Sequence, residues 1–100
     1  MSDLNNSQQR ILKIIEFLFN DVVQGYQPMQ IARHISATAS SITRDMTNLK
    51  AAGWVVQDED TGCWRIHPRI GQQAVKIYSA IERHRSRVEE AANRYTRTTD

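Results

Sequence analysis

Residues 38–57 read Thr38-Ala39-Ser40-Ser41-Ile42-Thr43-Arg44-Asp45-Met46-Thr47-Asn48-Leu49-Lys50-Ala51-Ala52-Gly53-Trp54-Val55-Val56-Gln57, and the period of the apolar positions changes along them. Ile42, Met46 and Leu49, spaced by four and three, share one face of a helix. Thr38 can accept a hydrogen bond from a first-turn amide and start that helix, and Gly53 has the backbone freedom to end it. Trp54-Val55-Val56-Gln57 then has the aromatic and β-branched chemistry of a strand. Asp58-Glu59-Asp60-Thr61-Gly62 has turn chemistry, and Cys63-Trp64-Arg65-Ile66-His67 returns to alternation, so the helix leads into a β-hairpin. A hairpin alone is marginal in water, so Trp54, Val56, Trp64 and Ile66 are expected to pack onto helices.

Upstream, Ser36-Ala37-Thr38 is a small, polar connection to a short helix over Pro28–Ile35. Pro28 suits its first turn, and Met29, Ile31, Ala32 and Ile35 form its expected buried stripe. Before that, Ile11, Leu12, Ile14, Ile15, Leu18 and Phe19 recur at helical spacing, with Arg10, Lys13, Glu16 and Asn20 opposite. This predicts a first helix from Ser7 to Val23, capped by Asn6 or Ser7 and ended by Gly25, after a disordered leader over residues 1–6. Downstream, Pro68 breaks the strand and a last helix runs to about Tyr95, leaving residues 96–100 as a frayed tail. The expected division is a domain over residues 7–70 and a C-terminal helix over 71–95.

Composition narrows the function. A chain of 100 residues, 40% of them hydrophobic, holds one modest core. No apolar run approaches the roughly 20 residues of a membrane span, and the N-terminus lacks the pattern of a secretory signal, so a cytoplasmic protein with no membrane partner is expected. Cys63 is the sole cysteine, which leaves no disulfide and no zinc set; neither a metal nor a cofactor is expected. A Gly-rich phosphate loop is lacking, as is a nucleophile with a recognisable base, and His34, His67 and His84 lie in different elements, so an enzyme is not expected. Net charge is only +2, but residues 68–100 carry 7 basic groups against 4 acidic, and the turn region 54–67 carries 1 against 3.

Helix, short helix, tight turn, helix and hairpin is the winged helix-turn-helix order: mainly α with a small β-hairpin, plus a C-terminal helix. The chain resembles the N-terminal DNA-binding domain of IclR-type bacterial regulators through Ile11-Leu12-Lys13-Ile14-Ile15, Ile31-Ala32-Arg33-His34-Ile35 and Ser40-Ser41-Ile42-Thr43-Arg44. The resemblance continues through Leu49-Lys50-Ala51-Ala52-Gly53-Trp54-Val55 and Asp58-Glu59-Asp60-Thr61-Gly62, covering about residues 9–72. It implies a transcription regulator that places the third helix in the major groove of double-stranded DNA. The larger effector domain of that family has no counterpart in these 100 residues, so no small-molecule effector is expected, and the size suits a compact bacterial or phage regulator.

On the third helix the positions facing away from the apolar stripe are Ala39, Ser40, Ser41, Thr43, Arg44, Thr47 and Asn48. Arg44 has the reach to bond O6 and N7 of guanine, and Thr38, Ser40 and Ser41 stand at a helix start that suits phosphate. Arg33 and His34 are candidates for flanking backbone, as is Arg65, with His67 and Arg69 nearby. The acidic tip Asp58-Glu59-Asp60 argues against deep insertion of the wing. Ile77, Tyr78, Ile81, Val88 and Tyr95 on the last helix are candidates for a homodimer interface suited to a palindromic operator. Arg83, Arg85 and Arg87 on that helix offer phosphate contact as an alternative use. The competing function is a winged helix that binds proteins as an adaptor.

Overall fold

Local hydrogen-bonding competition sets where each helix begins and ends. The computed structural model describes residues 4–97; of the expected leader and tail, residues 1–3 and 98–100 lie outside the described residues. The elements are α1 (Asn6–Leu18), α2 (Pro28–Ile35), α3 (Ala39–Ala51), β1 (Val55–Gln57), β2 (Trp64–Ile66) and α4 (Pro68–Thr96). This is the expected order, mainly helical with one antiparallel hairpin. No helix among the described residues is long and apolar enough to cross a membrane.

The cap of α1 is Asn5, whose side chain accepts from the Gln8 amide at 3.1 Å, one residue before the expected caps. The helix stops at Leu18 instead of continuing to Val23. The Asp21 carboxylate accepts from the amides of Val23 and Gln24 at 3.1 and 2.9 Å, a local turn that takes amides a longer helix would need. Gly25 therefore does not end the helix. It adopts φ +75°, and a Cβ there would sit 2.2 Å from the Trp64 carbonyl oxygen, so the residue permits a close crossing of backbones.

That crossing brings Tyr26 against β2. Tyr26 and Trp64 exchange backbone hydrogen bonds of 2.9 and 2.8 Å, an isolated antiparallel bridge on the edge of β2 that β1 leaves open. In α2, Pro28 takes the first turn as expected, and the Gln27 amide donates to Oε1 of Gln30 at 2.8 Å. Ser36 ends the helix in the left-handed region at φ 60°. Ile31 is fully buried and Ile35 half-buried, but Met29 is exposed, contrary to its place in the expected stripe. Met29 precedes Ile31 by two positions, which on a helix point to different sides.

Ile42, Met46 and Leu49 of α3 pack with Ile14 and Leu18 of α1 and with Ile31. Each such side chain taken from water contributes roughly 1.5–3 kcal/mol. The hairpin adds Val55, Trp64 and Ile66. Val55 pairs with Ile66, Val56 with Arg65 and Gln57 with Trp64, so Val55 shares the inward face with Ile66 and Trp64. Within β1 the expected inward residue is thus out by one, since Val56 is half-buried on the other side, whereas Trp54, just before the strand, is half-buried and packs against the core as expected. Trp64 is the more buried tryptophan.

His67 connects the hairpin to α4: its amide donates to the Trp54 carbonyl at 2.8 Å, and its Nδ1 accepts from the Arg69 amide at 3.1 Å. Pro68 opens α4, and Ile70 completes the core. The chain divides into two compact units at the Ile70–Gly71 bond. In the second unit Ile77, Tyr78, Ile81, Val88 and Tyr95 are all exposed on one continuous helix.

Candidate nucleic-acid interface

The inner and outer faces of α3 differ in charge: its spacing from Ile42 and Leu49 sets Asp45 on the inner side, and an ion pair satisfies it there. Asp45 is the single acid of the helix and is buried, 3% exposed. Arg10 of α1 holds it with two hydrogen bonds, Nε to Oδ2 and Nη2 to Oδ1, the second at 2.9 Å. This fork-to-fork geometry fits a guanidinium to a carboxylate. The hydrogen bond to Asp45 raises the Arg10 pKa above its ordinary value; burial opposes the rise and the coulombic attraction adds to it. Arg10 thus leaves the outward face of α1 where the helical pattern put it.

With Asp45 turned inward, the exposed face of α3 carries Ser40, Thr43, Arg44, Thr47, Asn48 and Lys50. Its cations are Arg44 and Lys50, and no acid is exposed on it. Thr43 donates its hydroxyl proton to the Ala39 carbonyl at 3.0 Å, and Thr47 donates to that of Thr43 at 2.8 Å. These hydroxyls offer acceptor lone pairs outward, and the methyl groups supply apolar contact of the kind a thymine methyl takes.

At the start of α3, Thr38 Oγ1 accepts from the Ser41 amide at 3.2 Å and donates to the Ser41 hydroxyl at 2.9 Å; Ser40 Oγ lies 3.3 Å away. Capping therefore engages all three side chains. Since the Ser41 hydroxyl accepts from Thr38, its own proton remains to be donated, at the first turn of a helix. Such a helix start attracts anions.

A shallow groove of about 370 Å³ between α3 and the hairpin is lined by Pro28, Thr43, Thr47, Lys50, Gln57 and Trp64. Lys50 and Gln57 belong to this surface and were not singled out from the sequence. The helical signal for Lys50 was present, since it follows Thr43 and Thr47 at seven and three residues on one stripe. A second hollow of about 280 Å³ on the opposite flank of α3 includes Ser7, Arg44 and Asn48.

The other expected cations are placed differently. Arg33 is exposed on α2. His34, beside it, stacks on Phe17 with ring centroids 4.1 Å apart, and Phe17 in turn meets Tyr26 at 4.3 Å. Arg65 is half-buried, with Nη1 3.6 Å from the Asp58 carboxylate, so the wing's own acid partly occupies it. Arg69 bonds the Ala52 carbonyl at 3.4 Å, at the end of α3. The Asp58 pKa is lowered, chiefly by the Thr61 amide and then by that of Asp60, with Arg65 a minor contributor. Gln27 anchors the turn through Nε2, which donates to the Thr61 carbonyl at 2.6 Å and approaches Sγ of buried Cys63 at 3.4 Å. No three His, Cys, Asp or Glu side chains among the described residues gather as a metal site.

Solved structures share this fold. The chain is similar to the Zα domain of cyprinid herpesvirus 3 ORF112, whose binding mode to Z-DNA is known. The identity is 24% and the TM-score 0.54, over 62% of this chain and 98% of that one. It is similar to the second Z-DNA-binding domain of human DAI (ZBP1), solved in complex with Z-DNA, at 28% identity and a TM-score of 0.54, over 67% of this chain and 98% of that one. It is also similar to HmgR of Pseudomonas aeruginosa at 22% identity and a TM-score of 0.58, over 76% of this chain and 29% of HmgR. No family model and no curated protein matches the chain, so the resemblance to IclR-type regulators reaches only the level of a shared fold. That fold is the winged helix of these DNA-binding domains, extended here by a long last helix.

Proposed function

We propose that this chain is a sequence-specific, double-stranded DNA-binding transcription regulator and not an enzyme. It lays α3 in the major groove and acts as a homodimer in a bacterial cytoplasm, encoded by the cell or by a phage. The observation that carries this reading is the charge sorting of α3: Asp45 is buried against Arg10, which leaves Arg44 and Lys50 among small polar side chains on the exposed face. Arg44 reads a guanine edge, Thr43 and Thr47 meet neighbouring bases, and the helix start holds a phosphate. The acidic tip of the hairpin stays clear of the backbone, so Arg65 contributes only after exchanging Asp58 for a phosphate.

The likeness to the ZBP1 domain, at 28% identity, favours a second reading in which the same face recognises the backbone of left-handed DNA. Selection of bound sequences from a random duplex library, repeated at low and physiological salt with an alternating dC-dG duplex locked in the left-handed form as competitor, tests both. An enriched motif that resists the competitor supports base reading. Exclusive capture of the left-handed duplex supports the second reading, and absence of any DNA binding moves the protein-binding adaptor to first place.

A further inference from the structure

The two flanks of α3 carry different hydrogen-bonding chemistry. On the hairpin side, Thr43 and Thr47 line the groove of about 370 Å³, and both have donated their hydroxyl protons to carbonyls of their own helix. These two side chains therefore present acceptor lone pairs and methyl groups, with no proton left to give. On the α1 side, Arg44 and Asn48 line the hollow of about 280 Å³ together. Both are exposed, and among the described residues neither side chain is held by a hydrogen bond or an ion pair. The acid next to Arg44 in the chain, Asp45, is taken by Arg10. Arg44 can only donate, whereas the Asn48 amide both donates and accepts.

We propose that α3 reads two successive base pairs with two pairs of adjacent residues, Thr43-Arg44 on a G·C pair and Thr47-Asn48 on an A·T pair. The proposal rests on the major-groove reading above and names the sequence selected: guanine and adenine side by side on one strand. Adjacent helical residues differ by about 100° in direction and about 1.5 Å in height, so each pair straddles the helix at one level. A helix seated in the major groove, about 12 Å wide, meets both bases of a pair, one with each flank. Arg44 forks onto O6 and N7 of guanine, and the Thr43 oxygen accepts from N4 of the paired cytosine. One turn on, the Asn48 amide donates to N7 and accepts from N6 of adenine, while the Thr47 methyl meets the methyl of the paired thymine. Helix positions three or four residues apart contact successive bases in groove-reading helices, and Arg44 and Asn48 are four apart. The inverse assignment fails on chemistry. Thr43 and Thr47 have no proton for guanine O6 or N7, and Arg44 has no acceptor for adenine N6 or cytosine N4. Asn48 is thus a specificity-determining residue beside Arg44.

Selection from a random duplex library by the full-length wild type, Arg44→Ala and Asn48→Ala tests the assignment. Wild type is expected to enrich a guanine beside an adenine. Arg44→Ala should relax the preference at the guanine and Asn48→Ala at the neighbouring adenine, each by roughly 5-fold or more. Both side chains are exposed, so the circular dichroism of the variants should match that of wild type. Replacing the thymine opposite that adenine by deoxyuridine, which lacks only the methyl group, should weaken wild-type binding and leave Thr47→Ser indifferent. Equal wild-type affinity for the thymine and deoxyuridine duplexes would overturn the Thr47 contact. An Asn48→Ala motif identical to that of wild type, or one relaxed at a position not adjacent to the guanine, would overturn the pairing. A changed Arg44→Ala motif beside that result would leave the major-groove reading standing. A wild-type chain that enriches no motif would overturn both.

Discussion

Replacing Arg10 by alanine should destabilise the winged domain far more than replacing Asp45, although both changes delete the same ion pair. The Asp45 side chain is 4% exposed and that of Arg10 24%. Without Arg10, the buried carboxylate on α3 loses both of its hydrogen bonds and its counter-charge, beside a hollow lined by Ser7, Ser41, Arg44 and Asn48. Without Asp45, the long Arg10 side chain can swing its guanidinium into water. Breaking a buried pair so that one charge remains uncompensated costs about 3–5 kcal/mol. Partial exposure of Arg10 points to the lower end, about 3 kcal/mol for Arg10→Ala, against about 1 kcal/mol for Asp45→Ala. For a domain of this size, about 4–8 °C of melting temperature is lost per kcal/mol, so Arg10→Ala should melt roughly 12–24 °C lower. The double replacement Arg10→Met with Asp45→Leu should recover most of the loss, because an apolar pair carries no desolvation penalty. Urea unfolding followed by the fluorescence of Trp54 and Trp64 measures each variant. A loss below about 0.5 kcal/mol for Arg10→Ala, as for an exposed pair, would refute the reasoning, and so would a greater loss for Asp45→Ala.

Gly25→Ala should unfold or severely destabilise the domain, since its Cβ would meet the Trp64 carbonyl at 2.2 Å; Gly71→Ala, with open space around it in α4, should stabilise the helix by about 0.5–1 kcal/mol, both read by thermal melting followed by circular dichroism. Asp58 has a lowered pKa in the folded chain, so its contribution to the hairpin turn is present above the unfolded carboxylate value and is lost as pH falls through the lower folded value. An acid titration of the Asp60 and Thr61 amides by NMR should therefore show the turn intact at pH 5 and opening only below the ordinary carboxylate range. Arg44→Ala should change the sequence preference of DNA binding, whereas Arg65→Ala and Arg85→Ala should weaken all duplexes about equally, as competition binding to matched and mismatched duplexes would show. Equal losses on every duplex from Arg44→Ala would remove its base-reading role.

How far the fold is legible depends on whether local and tertiary signals agree. In α2 and α3 they do: Pro28 opens one, Thr38 caps the other, and Ile42, Met46 and Leu49 fall on the buried face as their spacing predicts. In α1 the apolar period runs on into Val22 and Val23, yet Asp21 diverts the amides there into a turn, so pattern and hydrogen bonding conflict. Trp54-Val55-Val56 is apolar throughout, which leaves no polar residue to mark the outward side, and only pairing with Ile66 resolves which residue faces in. Met29 shows that an apolar residue in a short first turn need not join the stripe.

The candidate interface follows the same logic. The outer face of α3 is readable because helical geometry alone separates Thr43, Arg44 and Thr47 from the core. Burial of Asp45 is not readable, since aspartate is among the residues least often buried and its partner lies 35 positions away. The engagement of Arg65 by Asp58 depends on the turn folding back along the strand, which sequence spacing does not encode.

The most direct test of the account is amide chemical-shift mapping of the full chain as duplex DNA carrying its selected sequence is added. The account predicts that the largest changes fall on Ser40, Thr43, Arg44 and Thr47, with smaller ones at Lys50, at Gln57 and at Asp58, whose pairing with Arg65 is exchanged for a phosphate. Changes confined to the arginines between residues 83 and 87, with α3 unmoved, would contradict it.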